Sequence, residues 1–182
     1  MDQTRVKDIM VSLDDYPVVN VEATLYDAVV ALQAAQKRLP PGRQPHRAVL
    51  VRNAEGTIVG KVGQLAFLKG LEPNYDFSTD SGALERAGVG DDLIITMQEH
   101  ARYFQESLDD VCSRAGAIKV KTILQPVAES LDENAPLGEA LHKIVRLQRL
   151  SLLVTREGRV VGIMRLSDLF ETITEKVTQM NS

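Results

Sequence analysis

The 182-residue sequence is poor in the residues that mark several classes of protein. It has no tryptophan, one cysteine, three histidines and only 4% aromatic residues. A single cysteine cannot form an internal disulfide, which excludes a disulfide-stabilised secreted scaffold. Cys112 lies among apolar residues at helical spacing, so we expect a small buried hydrophobe. No histidine stands at metal-ligand spacing from a second ligand, and no metal site is predicted.

Long apolar runs and an excess of positive charge are also missing. No segment approaches the roughly 20 apolar residues that cross a bilayer, and residues 1–5 lack the apolar stretch of a signal peptide. We therefore expect a cytoplasmic protein without a membrane partner. The formal net charge of −4 argues against a nucleic-acid partner, because phosphate binding needs clustered lysine and arginine.

Motifs that would support catalysis are absent as well. The sequence contains neither a Gly-x-Ser-x-Gly elbow nor a phosphate-binding P-loop. The adjacent carboxylates of Asp14 and Asp15, and of Asp91 and Asp92, fit turns and helix caps better than an acid and a base. We predict that the protein is not an enzyme and requires no cofactor.

What the sequence does contain is an internal repeat. Residues 55–62, EGTIVGKV, return 102 positions later as residues 157–164, EGRVVGIM. Each copy indicates a strand, a helix, a hairpin at Gly-x-x-x-Gly and a second helix. The predicted fold class is α/β (α+β), with two β-α-β-β-α repeats. We expect the first repeat at 6–71, a helical insertion at 72–119 and the second repeat at 120–177.

The inserted segment carries a regular apolar stripe. Its members step by three and four residues, which predicts a helix from Asp91 to Ala115. They are Ile94, Met97, Ala101, Phe104, Leu108, Val111 and Ala115. Two interpretations stay open: the stripe packs against the two repeats of the same chain, or it pairs with its copy in a homodimer or docks a partner.

The repeated pattern of strand, helix, glycine hairpin and terminal helix resembles the cystathionine-β-synthase (CBS) domain pair, or Bateman module. The resemblance covers residues 6–70 and 120–177 and is most specific at 158–169, GRVVGIMRLSDL, where an aspartate follows the second glycine by six positions. It implies two repeats packed sheet to sheet about a pseudo-twofold axis, with two clefts that commonly bind AMP, ATP or other adenosine compounds. We expect a stand-alone module with a helical insertion, and a homodimer.

The resemblance also implies a ribose site. Asp168 would accept hydrogen bonds from the ribose hydroxyls, although the dipole of the last helix would favour a carboxylate there without any ligand. Arg165 stands where the family usually has threonine or serine. In repeat 1, Gly63 and Ala66 occupy the hydroxyl and aspartate positions, so at most one cleft is expected to bind a nucleotide.

The remaining ligand contacts follow from the same resemblance. Arg165, or His46 with Arg47, would meet the phosphate, although His46 and Arg47 fit a solvated loop end equally well. The strand residues Ile163 and Met164 would lie beside the base. Because Asp168 is expected to face solvent, replacing it with alanine should abolish binding at a cost below about 1 kcal/mol of stability.

Two functions are consistent with these features. The first is a regulatory module that binds AMP, ADP or ATP, or S-adenosylmethionine, and signals to a protein effector or through its homodimer. The alternative is a non-binding structural or interaction protein that uses the inserted helix for oligomerisation or partner docking.

Overall fold

The structure is a computed structural model, and it describes residues 4–72, 107–127 and 129–181. The strands are β1 (Val11–Ser12), β2 (Val18–Asn20), β3 (Ala48–Arg52), β4 (Ile58–Gly63), β5 (Gln125–Pro126), β6 (Ser130–Asp132), β7 (Ser151–Arg156) and β8 (Arg159–Arg165). The α-helices are α1 (Val6–Ile9), α2 (Leu25–Arg38), α3 (Gln64–Leu71), α4 (Leu108–Ser113), α5 (Leu137–Leu147) and α6 (Leu166–Met180). The predicted β-α-β-β-α order is confirmed in both repeats.

Helix α2 begins at a capping box. The Thr24 hydroxyl accepts a hydrogen bond from the backbone N–H of Asp27 at 3.1 Å, and the Asp27 carboxylate accepts one from the backbone N–H of Thr24 at 2.8 Å. This reciprocal bonding satisfies N–H groups that the first turn leaves without helical partners. The bond from the Thr24 backbone also lowers the pKa of Asp27. Leu25 and Ala28 follow on the buried face and fix the helix on its sheet.

The two sheets exchange their short edge strands. Strand β1, which precedes the first parallel strand of repeat 1, pairs antiparallel with β8 of repeat 2. Strand β5, which precedes the first parallel strand of repeat 2, pairs antiparallel with β4 of repeat 1. The resulting orders are β1-β8-β7-β6 and β2-β3-β4-β5. Each repeat therefore completes the sheet of the other.

The two glycines of each Gly-x-x-x-Gly motif have different structural roles. Gly56 and Gly158 adopt φ values of 82° and 78° in the hairpin turns, a left-handed conformation that favours glycine. Gly60 and Gly162 lie where the exchanged strands pair, and a Cβ added to either would collide with a backbone carbonyl oxygen of β5 or β1. The first glycine thus makes the turn, and the second admits the strand from the other repeat.

A hydrophobic cluster between the repeats joins them into one core. Its buried members come from both halves of the chain: Tyr16, Ala48, Leu50, Ile58, Leu153 and Ile163. Leu50 and Ile163 are completely buried. Each such aliphatic side chain contributes about 1.5–3 kcal/mol relative to an exposed one. The clefts between the repeats consequently have a firmly packed floor.

The prediction of one continuous helix from Asp91 to Ala115 is wrong at Ser107. Most of that range lies outside the described residues, but the backbone of Ser107 is extended, with φ −71° and ψ 152°. Its hydroxyl accepts a hydrogen bond from the backbone N–H of Asp110 at 3.2 Å. Serine in this position caps a new helix rather than continuing an old one. Helix α4 therefore starts at Leu108.

The end of the apolar stripe packs mainly within the chain. Val111 and Ala115 are partly buried against the core of repeat 1, whereas Leu108 is 75% exposed. Cys112 is exposed, which contradicts its prediction as a buried hydrophobe. In a six-residue helix, Cys112 falls beside the buried face rather than on it. The stripe members before Leu108 lie outside the described residues.

Candidate functional site

Three concave regions lie at the junction of the repeats. The first cleft, of about 620 Å³, is lined in part by Tyr16, Ala34, Arg38, His46, Arg165 and Asp168. The second cleft, of about 530 Å³, is lined in part by Lys61, Ala66, Gln125, Glu129, Arg149 and Ser151. Between them is the basic pocket, of about 380 Å³, lined in part by Tyr16, Arg47, Lys61, Arg149, Arg165 and Phe170.

Arg165 and Asp168 form a closed ion pair on the wall of the first cleft. The Arg165 Nε and Nη2 atoms donate to the two Asp168 carboxylate oxygens at 2.5 and 2.6 Å. Nη1 donates to the backbone oxygens of Gln44 and Pro45 at 2.9 and 3.3 Å. The two side chains are only 7% and 14% exposed. The expectation of a solvent-facing Asp168 is therefore wrong, because the guanidinium at the start of α6 covers it.

The ion pair does not use the full acceptor capacity of Asp168. A carboxylate offers about four lone-pair sites, and a bidentate arginine takes two of them. The remaining two can accept hydrogen bonds from a diol at the cleft wall. The pair thus fixes the orientation of the carboxylate while leaving acceptor sites in reach of a ligand.

His46 is a buried side chain with unused hydrogen-bonding groups. It is 2% exposed, and neither ring nitrogen has a hydrogen-bond partner among the described residues. Tyr16 packs edge-to-face on the ring, with centroids 4.5 Å apart. Burial, followed by the charge of Arg165, lowers the pKa of His46. The neutral ring therefore presents one donor and one acceptor, and leaving each unpaired costs about 1–3 kcal/mol.

The backbone around His46 is held from α2. The Gln36 amide nitrogen donates to the His46 carbonyl oxygen at 2.9 Å, and the His46 N–H donates to the Gln36 amide oxygen at 3.2 Å. This pair of bonds clamps the residue before β3. The loop that contributes His46 to the first cleft is consequently fixed on α2, which lines the same cleft.

The structure brings together only part of the predicted site. Asp168, Arg165 and His46 share the first cleft, whereas Arg47 is exposed and lines the basic pocket. Ile163 and Met164 are completely buried in the inter-repeat core and the repeat 2 core. Strand β8 lies between two neighbouring strands with cores on both faces, so these side chains face the interior and not a cleft wall.

Lys61 is a feature that the sequence analysis missed. Its Nζ atom donates to the Ser151 carbonyl oxygen at 2.5 Å and to the Ser151 hydroxyl at 2.6 Å. Burial, followed by the charge of Arg149, lowers its pKa to about 8. The corresponding residue of repeat 2 is Ile163, 102 positions later. A lysine in place of an isoleucine was the signal in the sequence that could have identified it.

The partly buried Lys61 leads to a prediction for the pH dependence of stability. Below about pH 8, Lys61 is protonated in both the folded and the unfolded state, and the folded state bears the full cost of burying the charge. Between about 8 and the ordinary 10.5 the folded state loses its proton first, so this contribution to stability rises with pH. Melting temperatures of the parent and Lys61→Met, measured from pH 7 to 10, should converge as the pH increases. A difference that stays constant would contradict the prediction.

Two absences apply to the part of the chain that the structure describes. It contains no helix long and apolar enough to cross a membrane. It also contains no cluster of three or more histidine, cysteine, aspartate or glutamate side chains arranged to hold a metal ion.

Comparisons with solved structures give the same fold. A CBS domain-containing protein of unknown function from Bacillus anthracis aligns with 96% of this chain and 95% of its own, at 16% identity and a TM-score of 0.63. The CBS-pair protein CBSX2 from Arabidopsis thaliana aligns with 97% and 99%, at 15% identity and a TM-score of 0.60. CBSX2 in complex with AMP aligns with 94% and 97%, at 17% identity and a TM-score of 0.59.

Sequence comparison gives a direct match for one repeat. The family model described as CBS domain matches residues 120–175, which contain β5 to β8, α5 and the first part of α6. The comparison with curated proteins finds no significant match. Residues 120–175 are therefore a CBS domain, and the chain as a whole has the fold of a CBS-domain pair.

Proposed function

We propose that the protein is a regulatory module that binds an adenine nucleotide in the first cleft and is not itself an enzyme. The observation that carries the proposal is His46, a lining residue of the first cleft whose two ring nitrogens are buried and have no hydrogen-bond partner among the described residues. A polar ligand that enters the cleft beside the ring would give these nitrogens a partner. The structure of CBSX2 in complex with AMP, which shares this fold, supports the nucleotide class.

Each part of an adenine nucleotide has a complementary group in this cleft. The free acceptor sites of Asp168 suit the ribose hydroxyls, and the His46 ring offers a donor and an acceptor. Arg165 is neutralised by Asp168. The phosphate is therefore assigned to Arg38 and Arg43, which line the cleft and form no ion pair among the described residues. This assignment replaces the sequence-based one to Arg165, or to His46 with Arg47.

A ligand in the first cleft would contact both repeats. One wall comes from α2 and the loop before β3, and the other comes from Arg165 and Asp168 at the start of α6. Binding favours whichever arrangement of the repeats contacts the ligand better. The resulting change can reach a protein effector or a second copy of the chain through the outer helices α3 and α6.

The alternative is an interaction module whose clefts bind nothing. The closed pair of Arg165 and Asp168 favours it, because the family's ribose carboxylate is already engaged by a side chain. Exposed apolar side chains on the outer helices also favour it, among them Leu65, Leu68 and Phe170. Under this alternative, a substitution that fills the first cleft would not change the affinity of the protein for any partner.

Filling the first cleft with an indole tests the proposal. Ala34 is exposed on α2 and lines the cleft, so Ala34→Trp should reduce the affinity for AMP, ADP or ATP by at least about tenfold without disturbing the core. Gln33→Trp is the matched control, since Gln33 is the exposed neighbour on the same helix outside the cleft lining. Titration calorimetry with the three nucleotides and S-adenosylmethionine gives the affinities. Failure of all four to bind the parent protein would overturn the proposal.

A further inference from the structure

Lys61 is a nucleophilic group that the proposed function does not use. It is partly buried and lines both the basic pocket and the second cleft, but not the first cleft. Burial, followed by the charge of Arg149, lowers its pKa to about 8. At pH 8 about half of the Lys61 side chains are therefore neutral amines, against about 0.3% for a lysine with the ordinary pKa.

The hydrogen bonds of Lys61 suit the neutral amine. Its Nζ atom donates to the carbonyl oxygen of Ser151 at 2.5 Å and to the Ser151 hydroxyl at 2.6 Å. An ammonium group has three N–H donors, whereas a neutral amine has two and a lone pair. The two Ser151 oxygens thus engage both donors of the neutral form. Its lone pair then points away from Ser151 and is free to attack an electrophile.

The basic pocket surrounds Lys61 with charge of the same sign. Arg47, Arg149 and Arg165 line the pocket with it, and no aspartate or glutamate among the described residues does. Only Arg165 is neutralised, by Asp168. A partly desolvated ammonium beside two arginines without a counter-charge is unfavourable. The same arginines would stabilise an anion at the position of the lysine.

The second cleft supplies no counter-charge for Lys61 either. Glu129 is the one carboxylate among its described lining residues, and it pairs with Arg146, with 3.2 Å between Oε2 and Nη2. Lys69 lines this cleft as well. A modification that converts the Lys61 ammonium into an anion would therefore replace repulsion by attraction.

We propose that Lys61 is a carbamylation site, at which the amine takes up carbon dioxide and the resulting carbamate pairs with Arg149. The nitrogen lone pair forms the N–C bond, one C=O electron pair moves onto oxygen, and the nitrogen releases one proton to water. Nothing is oxidised or reduced. The two carbamate oxygens can accept both N–H groups along one edge of a guanidinium, as a carboxylate does.

The character of the pocket favours carbon dioxide over other small electrophiles. Acylation would leave a neutral amide, and condensation with an aldehyde would leave an imine, so neither product gives Arg149 a counter-charge. Carbon dioxide is itself uncharged and nonpolar, and Leu150 and Phe170 supply apolar lining on its way to the amine. The inference does not depend on a nucleotide, because neither Lys61 nor Arg149 lines the first cleft.

Trapping with isotopically labelled bicarbonate tests the site. The parent protein is equilibrated with the label at pH 8 and treated with triethyloxonium ion, which converts a carbamate into a stable ethyl ester. It is then digested with a protease that does not cleave at lysine, and the peptides are analysed by mass spectrometry. Lys61 should carry at least about tenfold more label than the exposed Lys37, because far more of it is neutral. The α-amino terminus, with an ordinary pKa of about 8, is the positive control for trapping.

Two variants and the unfolded chain provide the controls. Arg149→Met removes the partner of the carbamate and should lower the labelling of Lys61 by at least about threefold. Arg159→Met removes the same charge from an exposed position outside the three concave regions and should label like the parent. In urea, Lys61 and Lys37 should label equally. Ala34→Trp should not affect the labelling, so failure of the nucleotide proposal would leave this result intact. Equal labelling of Lys61 and Lys37 in the folded parent, or unchanged labelling of Lys61 in Arg149→Met, would overturn the inference.

Discussion

Replacing Asp168 with alanine is expected to lower the free energy of unfolding by about 3 to 5 kcal/mol. The substitution leaves the Arg165 guanidinium nearly buried, with two of its nitrogens deprived of their carboxylate acceptors. A buried charge that loses its partner is much more costly than an exposed one. Urea denaturation of the parent and Asp168→Ala, with equal slopes, gives the difference directly.

A second variant distinguishes the loss of the Asp168 carboxylate from the effect of leaving the Arg165 guanidinium unpaired. In Arg165→Met with Asp168→Ala, no unpaired guanidinium remains, and the double variant should be more stable than Asp168→Ala alone. Glu171→Ala removes an exposed carboxylate from the same helix and should change stability by less than about 0.5 kcal/mol. If Asp168→Ala costs less than about 1 kcal/mol, the ion pair does not stabilise the protein as described.

This coupling changes how Asp168 can be used as a probe of ligand binding. The sequence pattern identifies the carboxylate by its distance from Gly162, but it does not show that Arg165, three residues earlier, covers it. Loss of nucleotide binding in Asp168→Ala would therefore combine a missing ribose contact with a weakened fold. Ala34→Trp leaves the ion pair intact and tests the cleft alone.

Much of the fold was predictable because the local residue patterns and the internal repeat indicate the same helices and strands. The two glycine hairpins formed where the repeat predicts them, and helix α2 begins at a capping box made by Thr24 and Asp27. Each signal depends on residues only a few positions apart. Comparison of the two copies then predicted the same order of elements in the second repeat as in the first.

The features that were missed depend on contacts between distant segments. The exchanged strands β1 and β5 are two residues long, too short to show any periodicity. His46 and Asp168 meet in one cleft although 122 positions separate them, and only the family resemblance, not the local sequence, placed them in one site. Lys61 is partly buried, and Ser151, which accepts its hydrogen bonds, belongs to the other repeat. Local sequence patterns contain no information about these pairings.

The pairing of β5 with β4 predicts a large loss of stability when a single Cβ atom is added at Gly60. Gly60→Ala places a Cβ against the carbonyl oxygen of Gln125 and the side chain of Leu124. Because Gln125 belongs to a sheet, its backbone cannot withdraw without breaking the pairing of β5 with β4. Overpacking at such a site should cost about 3 kcal/mol. Gly162→Ala, which meets the carbonyl oxygen of Val11 at 2.5 Å, should have a similar effect.

Replacing a third glycine shows whether the loss of stability comes from the strands that pair between the repeats. Gly138 lies in α5, where an added Cβ has no atom within 4 Å. Gly138→Ala should therefore raise stability by up to about 1 kcal/mol, since alanine is favoured over glycine in a helix. Thermal or urea unfolding of the three variants makes the comparison. Equal stability of Gly60→Ala and the parent would mean that β5 does not pair with β4 as described, and the description of two repeats that complete each other's sheets would be wrong.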